Sequence, residues 1–239
     1  MTDPNIPRQI NVIDMYHDNK VLPGTFEQLR IAGIFGIIHK ASQGLHYIDP
    51  LYSERRKAAT AAGLLWGAYH FLDSSDAEAQ AEAFLAASGV SDPNSDPVMV
   101  ACDYENSSNQ PSLHQCMTFM AAVDRATPDG VHCVLYSGNL IRETLKPVLG
   151  GHQATDMAGA EYFFQQHRLW MAEYGPREVI PYPWNLPIVK SSDQATSLPA
   201  PGVWLWQFTE KGNARGLPGL TDGNFYNGTF DQLKANWLA

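Results

Sequence analysis

The residues best placed to do chemistry are Asp103 and Glu105, which end the run Val98-Met99-Val100-Ala101-Cys102. Asp96-Pro97 precedes that run and Asn106-Ser107-Ser108 follows it, so the stretch reads as a short buried strand. Alternation along a strand puts Asp103 and Glu105 on one face and Tyr104 on the other. Packing does not account for two carboxylates on one face at a strand's end. Held in different surroundings, such a pair can divide the roles of proton donor and anion between them. In a barrel of parallel strands, the C-terminal strand ends are where active sites are built. The competing explanation is a strand running out into a solvated acidic loop.

Periodicity and turn chemistry outline the elements that would position this pair. Residues 9–14 form a strand that ends in another acid, Asp14. After the turn Pro23-Gly24, Thr25 is placed to cap a helix, with Gln28 completing a capping box. Residues 34–40 make the second strand, followed by the loop Ala41-Ser42-Gln43-Gly44. The Ala-rich stretch 51–62 is helical, and Gly63 supplies its stop. Residues 64–71 are the third strand, and Ser75-Asp76-Ala77-Glu78 opens a helix that ends at Gly89.

Beyond the acidic strand, Pro111 is expected as a first helical residue, with Leu113, Cys116, Met117, Met120 and Val123 at helical spacing. Residues 131–136 are the fifth strand, 139–149 a short helix and 154–167 a further one. Three more strands, 168–172, 186–189 and 203–208, are joined by loops rich in Pro and Gly rather than by helices. Strands and helices that alternate only through the first two thirds predict an α/β fold. It is a single irregular (β/α) TIM-like barrel of eight parallel strands, with missing or degraded helices in the last third. One domain is expected over residues 1–239, with a core of about 9–234. The echo of Gly24-Thr25-Phe26-Glu27-Gln28-Leu29 in Gly228-Thr229-Phe230-Asp231-Gln232-Leu233 reads as one helix-start chemistry used twice.

Composition narrows the classes. With 239 residues, 44% hydrophobic and 17% charged, the chain is long and apolar enough for a well-cored globular fold. A net charge of −9 argues against a nucleic-acid partner. No apolar run approaches the length of a membrane span, so no membrane insertion is expected. The start, Met1-Thr2-Asp3-Pro4-Asn5-Ile6-Pro7-Arg8, shows no apolar signal-peptide region. Cys102, Cys116 and Cys133 have no metal-type spacing and read as reduced core residues.

Set side by side, the strands bring Asp14, Asp103 and Glu105 to one mouth, and Asp222, in a loop after the last strand, reaches over it. Aromatics collect at the same ends: Tyr69, Phe71, Tyr136, Trp170, Tyr174, Trp206 and Phe208. Aromatic faces beside carboxylates suit a sugar polymer, whose rings stack through C–H faces and whose hydroxyls need acceptors. Each aromatic taken singly also serves as barrel filler.

These pieces, in order, resemble the glycoside hydrolase family 25 muramidases, the Chalaropsis-type lysozymes that include phage endolysins. The resemblance runs from about Ile10 to Leu233. It rests on Val12-Ile13-Asp14, on Lys40-Ala41-Ser42-Gln43-Gly44, on Tyr47-Ile48-Asp49-Pro50 and on Gly67-Ala68-Tyr69-His70-Phe71. It continues through Asp103-Tyr104-Glu105, Leu169-Trp170-Met171-Ala172-Glu173-Tyr174, Trp206-Gln207-Phe208 and Asp222-Gly223-Asn224-Phe225. Gln43 stands where the family usually has Glu, which implies altered substrate contacts rather than inactivity. Residues 150–167 and 175–187 match the pattern poorly.

The resemblance implies a peptidoglycan hydrolase that cleaves the β-1,4 bond after N-acetylmuramic acid, with no metal and no cofactor. Glu105 would be the general acid and Asp103 either the nucleophile or the group that orients the substrate's acetamido arm, the latter being favoured. Asp14 and Asp222 would complete the acidic ring. Tyr69, Phe71, Tyr136, Trp170, Tyr174, Trp206, Gln207 and Lys40 would bind substrate. The partners implied are peptidoglycan glycan strands and, for delivery from the cytoplasm to the wall, a holin or a secretion machinery. A monomer without a separate wall-binding module is expected. The alternatives are a chitinase-like hexosaminidase, which lacks support in Val100, Ala101 and Cys102 where that family has acids, a metal-dependent phosphodiesterase, and a non-catalytic glycan-binding barrel.

Overall fold

The computed structural model describes residues 9–92, 96–105, 107–128, 131–138, 140–141, 154–174 and 203–238. Its strands are β1 (Val12–Met15), β2 (Gly36–Gln43), β3 (Tyr47–Ile48), β4 (Leu65–Phe71), β5 (Val98–Tyr104), β6 (Val134–Ser137), β7 (Leu169–Ala172), β8 (Val203–Gly212) and β9 (Thr221–Phe225). The helices are α1 (Thr25–Ile31), α2 (Tyr52–Ala61), α3 (Ala77–Ser88), α4 (Leu113–Ala126), α5 (Ala154–Gln165) and α6 (Phe230–Ala235). The pairing order β1-β9-β8-β7-β6-β5-β4-β2 closes on itself through β1–β2, while β3 is a short ribbon on the edge of β2.

The closed α/β barrel agrees with the sequence, but its last third is built differently. β7 pairs in parallel with β8 directly, Leu169 opposite Val203, which leaves no place between them for a strand at 186–189. That stretch, like most of the helix expected at 139–149, lies outside the described residues. The remaining place in the ring is taken by β9, read from the sequence as a loop. β9 runs antiparallel to both β8 and β1, so the barrel is mixed rather than wholly parallel. Two glycines, Gly219 at φ 93° and Gly223 inside the strand, hid it from a periodicity argument.

Each strand divides its side chains between two apolar layers. The inner layer holds Val12, Ile38, Met99, Ala101, Val134, Trp170 and Leu205, and Leu233 and Trp237 from the α6 region pack into it at the strands' N-terminal ends. Trp237 Nε1 donates to the Trp66 carbonyl at 2.7 Å, tying that plug to β4. Space there is tight: a Cβ on Gly67 would lie 2.8 Å from Met99 Cε. The outer layer packs Ile13, Ile37, Trp66, Val100, Cys102 and Tyr104 under helices that contribute Phe84, Phe119, Met120 and Val123. The three cysteines are free and buried, as expected of core residues.

Helix starts refine the sequence reading. Asp76 rather than Ser75 caps α3, accepting from the Ala79 N–H at 2.8 Å. Ser112 and Gln115 form the capping box of α4, so Pro111 sits just outside the helix. The echoed motif is used in two ways. Thr229 and Gln232 make a true capping box on α6. At α1 the cap position is Gly24, at φ 80°, and Thr25 Oγ1 accepts instead from the Leu22 N–H at 3.0 Å.

Because β9 pairs with both neighbours, its loss opens two strand edges at once. A chain ending at Thr209 also lacks Leu233 and Trp237 from the inner layer. That fragment is expected to be insoluble or to melt without a cooperative transition by circular dichroism. A soluble fragment with a sharp melt would contradict the closure argument.

Candidate active site

The strand alternation that buries Val12, Ile38, Ala101, Leu205 and Trp170 also sets what stands above them. Two residues further along β1, β2, β5 and β8 come Asp14, Lys40, Asp103 and Gln207, all facing inward at the C-terminal ends. With Glu105, Tyr69, Phe71, Tyr136, Trp170, Tyr174 and Asp222 they line a cleft of about 400 Å³, a size typical of small-ligand sites. The four acids singled out from sequence therefore meet in one place. Asp222 arrives on β9 rather than on a loop, directly opposite Asp14 in the antiparallel register.

Of the residues expected to bind substrate, Trp206 does not reach the cleft. It neighbours Gln207 on one strand, and adjacent strand residues point to opposite faces. Trp206 is buried in the outer layer and its Nε1 donates to the Glu173 carbonyl at 2.9 Å. Phe208 falls on that outer side for the same reason. Two cleft residues, Tyr16 and Glu210, were not singled out, and neither was Asn224, which is buried behind the cleft wall. Tyr16 and Asn224 lie two residues beyond Asp14 and Asp222, a spacing that would have found both once β9 was recognised. Asn224 reaches the carboxylate of Asp14. Glu210 enters because the β8–β9 register shifts on either side of Thr209.

Asp14 is buried, and its carboxylate is held by amides. Gln207 Nε2 donates to both of its oxygens, at 3.1 and 2.9 Å, and Asn224 Nδ2 donates at 2.7 Å. Tyr136 and Tyr174 each donate to Gln207 Oε1, at 2.8 and 2.7 Å, which fixes the amide's orientation. Trp170 Nε1 does the same for Asn224 through its Oδ1 at 2.6 Å. Burial raises Asp14 to about 6 despite these donors. Asp222 is raised further, to about 8, by burial first and then by the charge of Asp14.

On β5, Asp103 is raised well above the usual carboxylate range by burial and then by Glu105, with the charge of Lys40 opposing. Its Oδ1 is buried with no hydrogen-bond partner among the described residues. Glu105, half-buried just past the strand end, is also raised by burial, with the nearby Tyr136 opposing the shift. Tyr136 has one phenolic proton and already gives it to Gln207. A protonated Glu105 can instead donate to Tyr136 Oη, so the network accommodates the acid form. Lys40 Nζ donates to Gln43 Oε1 at 2.9 Å and lies 4.9 Å from the centre of the Phe71 ring. It supplies the cleft's positive charge. His39, its neighbour, faces outward, and burial lowers it to about 4.

Among the described residues no group of three or more His, Cys, Asp or Glu side chains is placed to hold a metal ion. No helix among them is long and apolar enough to cross a membrane.

Comparison with known proteins gives this geometry a context. A family model described as Glycosyl hydrolases family 25 matches residues 13–217. The fold is similar to a bacterial lysozyme from Streptomyces coelicolor (25% identity, TM-score 0.67, covering 94% of this chain and 95% of that one). It is similar to a family GH25 lysozyme from Aspergillus fumigatus (22%, 0.67, 96% and 99%). The catalytic domain of endolysin ply40 from a Listeria monocytogenes bacteriophage is a further neighbour (20%, 0.64, 95% and 97%). Among curated sequences, the chain is 26% identical over 198 residues to YegX of Escherichia coli (strain K12). The match covers 82% of this chain, and the chain spans about 60% of the length of that relative.

Gln207 is the hub of these contacts, so its replacement reads their worth. Gln207→Leu keeps the volume but leaves Asp14 Oδ1 and the buried Tyr136 hydroxyl without partners, each worth about 1–3 kcal/mol when left unpaired and buried. The expected loss, by urea denaturation, is about 3 kcal/mol. Gln43→Ala, at an exposed position, should stay within about 0.5 kcal/mol of the parent.

Proposed function

The chain belongs to glycosyl hydrolases family 25, and from that membership we propose that it hydrolyses peptidoglycan as an N-acetylmuramidase, with Glu105 as its general acid. The observation that carries this reading is the pair Asp103 and Glu105 facing one cleft from the end of β5, beside a ring of aromatic walls. Hydrolysis of a glycosidic bond needs a proton for the leaving oxygen and a means of balancing positive charge at the anomeric carbon. Burial favours the protonated form of Glu105, as the first task requires.

Asp103 serves the second task through the substrate. An acetamido N–H brought to Asp103 Oδ1 supplies the hydrogen bond that this buried atom lacks and favours the ionised form of the carboxyl. Held there, the acetamido carbonyl oxygen attacks the anomeric carbon as Glu105 gives its proton to the leaving oxygen and the glycosidic bond breaks. The resulting oxazolinium carries the bond that replaced the leaving group. Glu105, now a carboxylate, takes a proton from water, and the water oxygen opens the ring with net retention. The other aspartates position the sugar from the opposite wall, and Lys40 moderates the acidity of the cleft.

Tyr69, Phe71 and Tyr136 line the cleft above a buried Trp170, and Tyr174 stands half-exposed at the rim. They offer stacking surfaces to pyranose rings, with Gln207 oriented behind them. Action on the wall places the working site outside the cytoplasmic membrane, so a chain made inside the cell depends on a holin or a secretion route. We propose that the chain acts as a monomer.

Digestion of purified peptidoglycan followed by borohydride reduction of the new ends tests the reading. Reduced muramic acid is expected; reduced glucosamine would make the chain a glucosaminidase. Glu105→Gln should slow the release by about 10²–10⁴-fold, the usual worth of a general acid, while glycan strands still bind. Undiminished release by that variant would sink the assignment and favour a different acid.

A further inference from the structure

We propose that Asp14 and Asp222 share a single proton and that Asp222 carries it, making Asp222 a neutral hydrogen-bond donor that positions a fixed Asp14 anion. The residues are register partners on antiparallel strands and line the same cleft, a placement that brings their carboxyl groups close enough to hydrogen-bond. Two carboxylates have only acceptors, so such a contact requires a proton on one of them. The rest of the network says which. Asp14 already accepts from Gln207 Nε2 on both oxygens and from Asn224 Nδ2, and donors of this kind favour the charged form.

The orientation of those donors is not free to reverse. Gln207 cannot turn its carbonyl to Asp14 without losing the hydroxyls of Tyr136 and Tyr174. Asn224 is held the same way by Trp170 Nε1. Among the described residues Asp222 has no comparable set of amide donors. The groups that face it are Asp14 on β1, Glu105 beyond β5 and Glu210 on β8, all acids, together with the phenols of Tyr16 and Tyr174. Lys40, the cation of the cleft, acts on Asp103 and Glu105. Burial and the charge of Asp14 raise Asp222 to about 8, above the value of about 6 for Asp14, in keeping with this order.

The arrangement changes what the cleft offers a sugar. Four equivalent anions would repel one another and leave every hydroxyl facing an acceptor. A neutral Asp222 removes one charge and locks the Asp14 carboxyl from its exposed side. The inference deepens the muramidase reading, because both aspartates lie across the cleft from Glu105. The location of the proton can nevertheless be measured without substrate.

The test uses the full chain with its aspartates labelled with 13C at Cγ, assigned by difference against Asp14→Asn and Asp222→Asn. At pH 7, between the two values, Asp222 should resonate as a protonated carboxyl and Asp14 as a carboxylate. In Asp14→Asn the pH at which Asp222 ionises should fall, because the neighbouring charge is gone while burial remains. Stability should follow. A carboxyl raised in the folded state adds stability that is complete below its unfolded value and is lost as pH rises through the folded one. The melting temperature of the parent should therefore fall between pH 5 and 8, and Asp222→Asn should flatten that slope. In peptidoglycan release, Asp222→Ala should be roughly tenfold slower than Asp222→Asn, which retains a neutral donor. An ionised Asp222 at pH 7, or equal rates for the two variants, would overturn the proposal. A chain that shows the protonated signal but releases nothing would overturn the muramidase reading alone.

Discussion

The carboxylate of Asp14 is the point at which this barrel is joined. Its amide donors come from Gln207 on β8 and Asn224 on β9, while Asp14 itself sits on β1. The hydrogen bonds therefore run across the last seam of the ring, where a parallel order gives way to an antiparallel strand. A buried acid without donors is strongly destabilising, so these three strands cannot separate without exposing the group to that penalty or to water. The same bonds hold the amides that orient Tyr136, Tyr174 and Trp170 at the cleft wall. Closure of the fold and construction of the site depend on one set of contacts.

The inner face of the barrel changes character over one pleat. Val12, Ile38, Ala101 and Leu205 form an apolar layer, and the next inward positions on their strands are Asp14, Lys40, Asp103 and Gln207. The apolar layer excludes water from below and desolvates what stands on it. That is why Asp14, Asp103, Glu105 and Asp222 are all shifted in one direction, with burial the largest cause in each. Individual environments then separate them. Asp14 has amide donors, Asp103 has Lys40 nearby and an unpartnered oxygen, and Glu105 has a tyrosine. Acids of one chemical type are thereby given unequal proton affinities, which is the condition for dividing acid and anion roles.

Some of this was legible in the residue order, and the reasons are local. The inward facing of Asp103 and Glu105 follows from a period of two on a strand whose ends are marked by Asp96-Pro97 and by a polar loop. Asp14, Lys40, Tyr69 and Phe71 obey the same rule on strands with equally clear apolar runs. α3 and α4 were visible from their helical spacing and the polar residues before them, although the exact caps differ. Trp206 was misjudged although the rule applied to it: with Gln207 inward, Trp206 belongs to the outer layer. Thr25 was misjudged as a cap because a left-handed Gly24 and a Thr cap are alternative ways to begin the same first turn.

By itself, the sequence determined the barrel class, the acid-bearing strand ends and the family resemblance, because each is written in short stretches whose periodicity or motif needs no distant partner. Only the tertiary structure decided that Thr221–Phe225 is a strand, that it runs antiparallel, and that it brings Asp222 and Asn224 against Asp14. A segment with Gly223 at its centre has little intrinsic strand preference. What makes it a strand is the pair of open edges on β8 and β1, whose backbone groups must be paired. Those edges come from opposite ends of the chain, and no local pattern contains them.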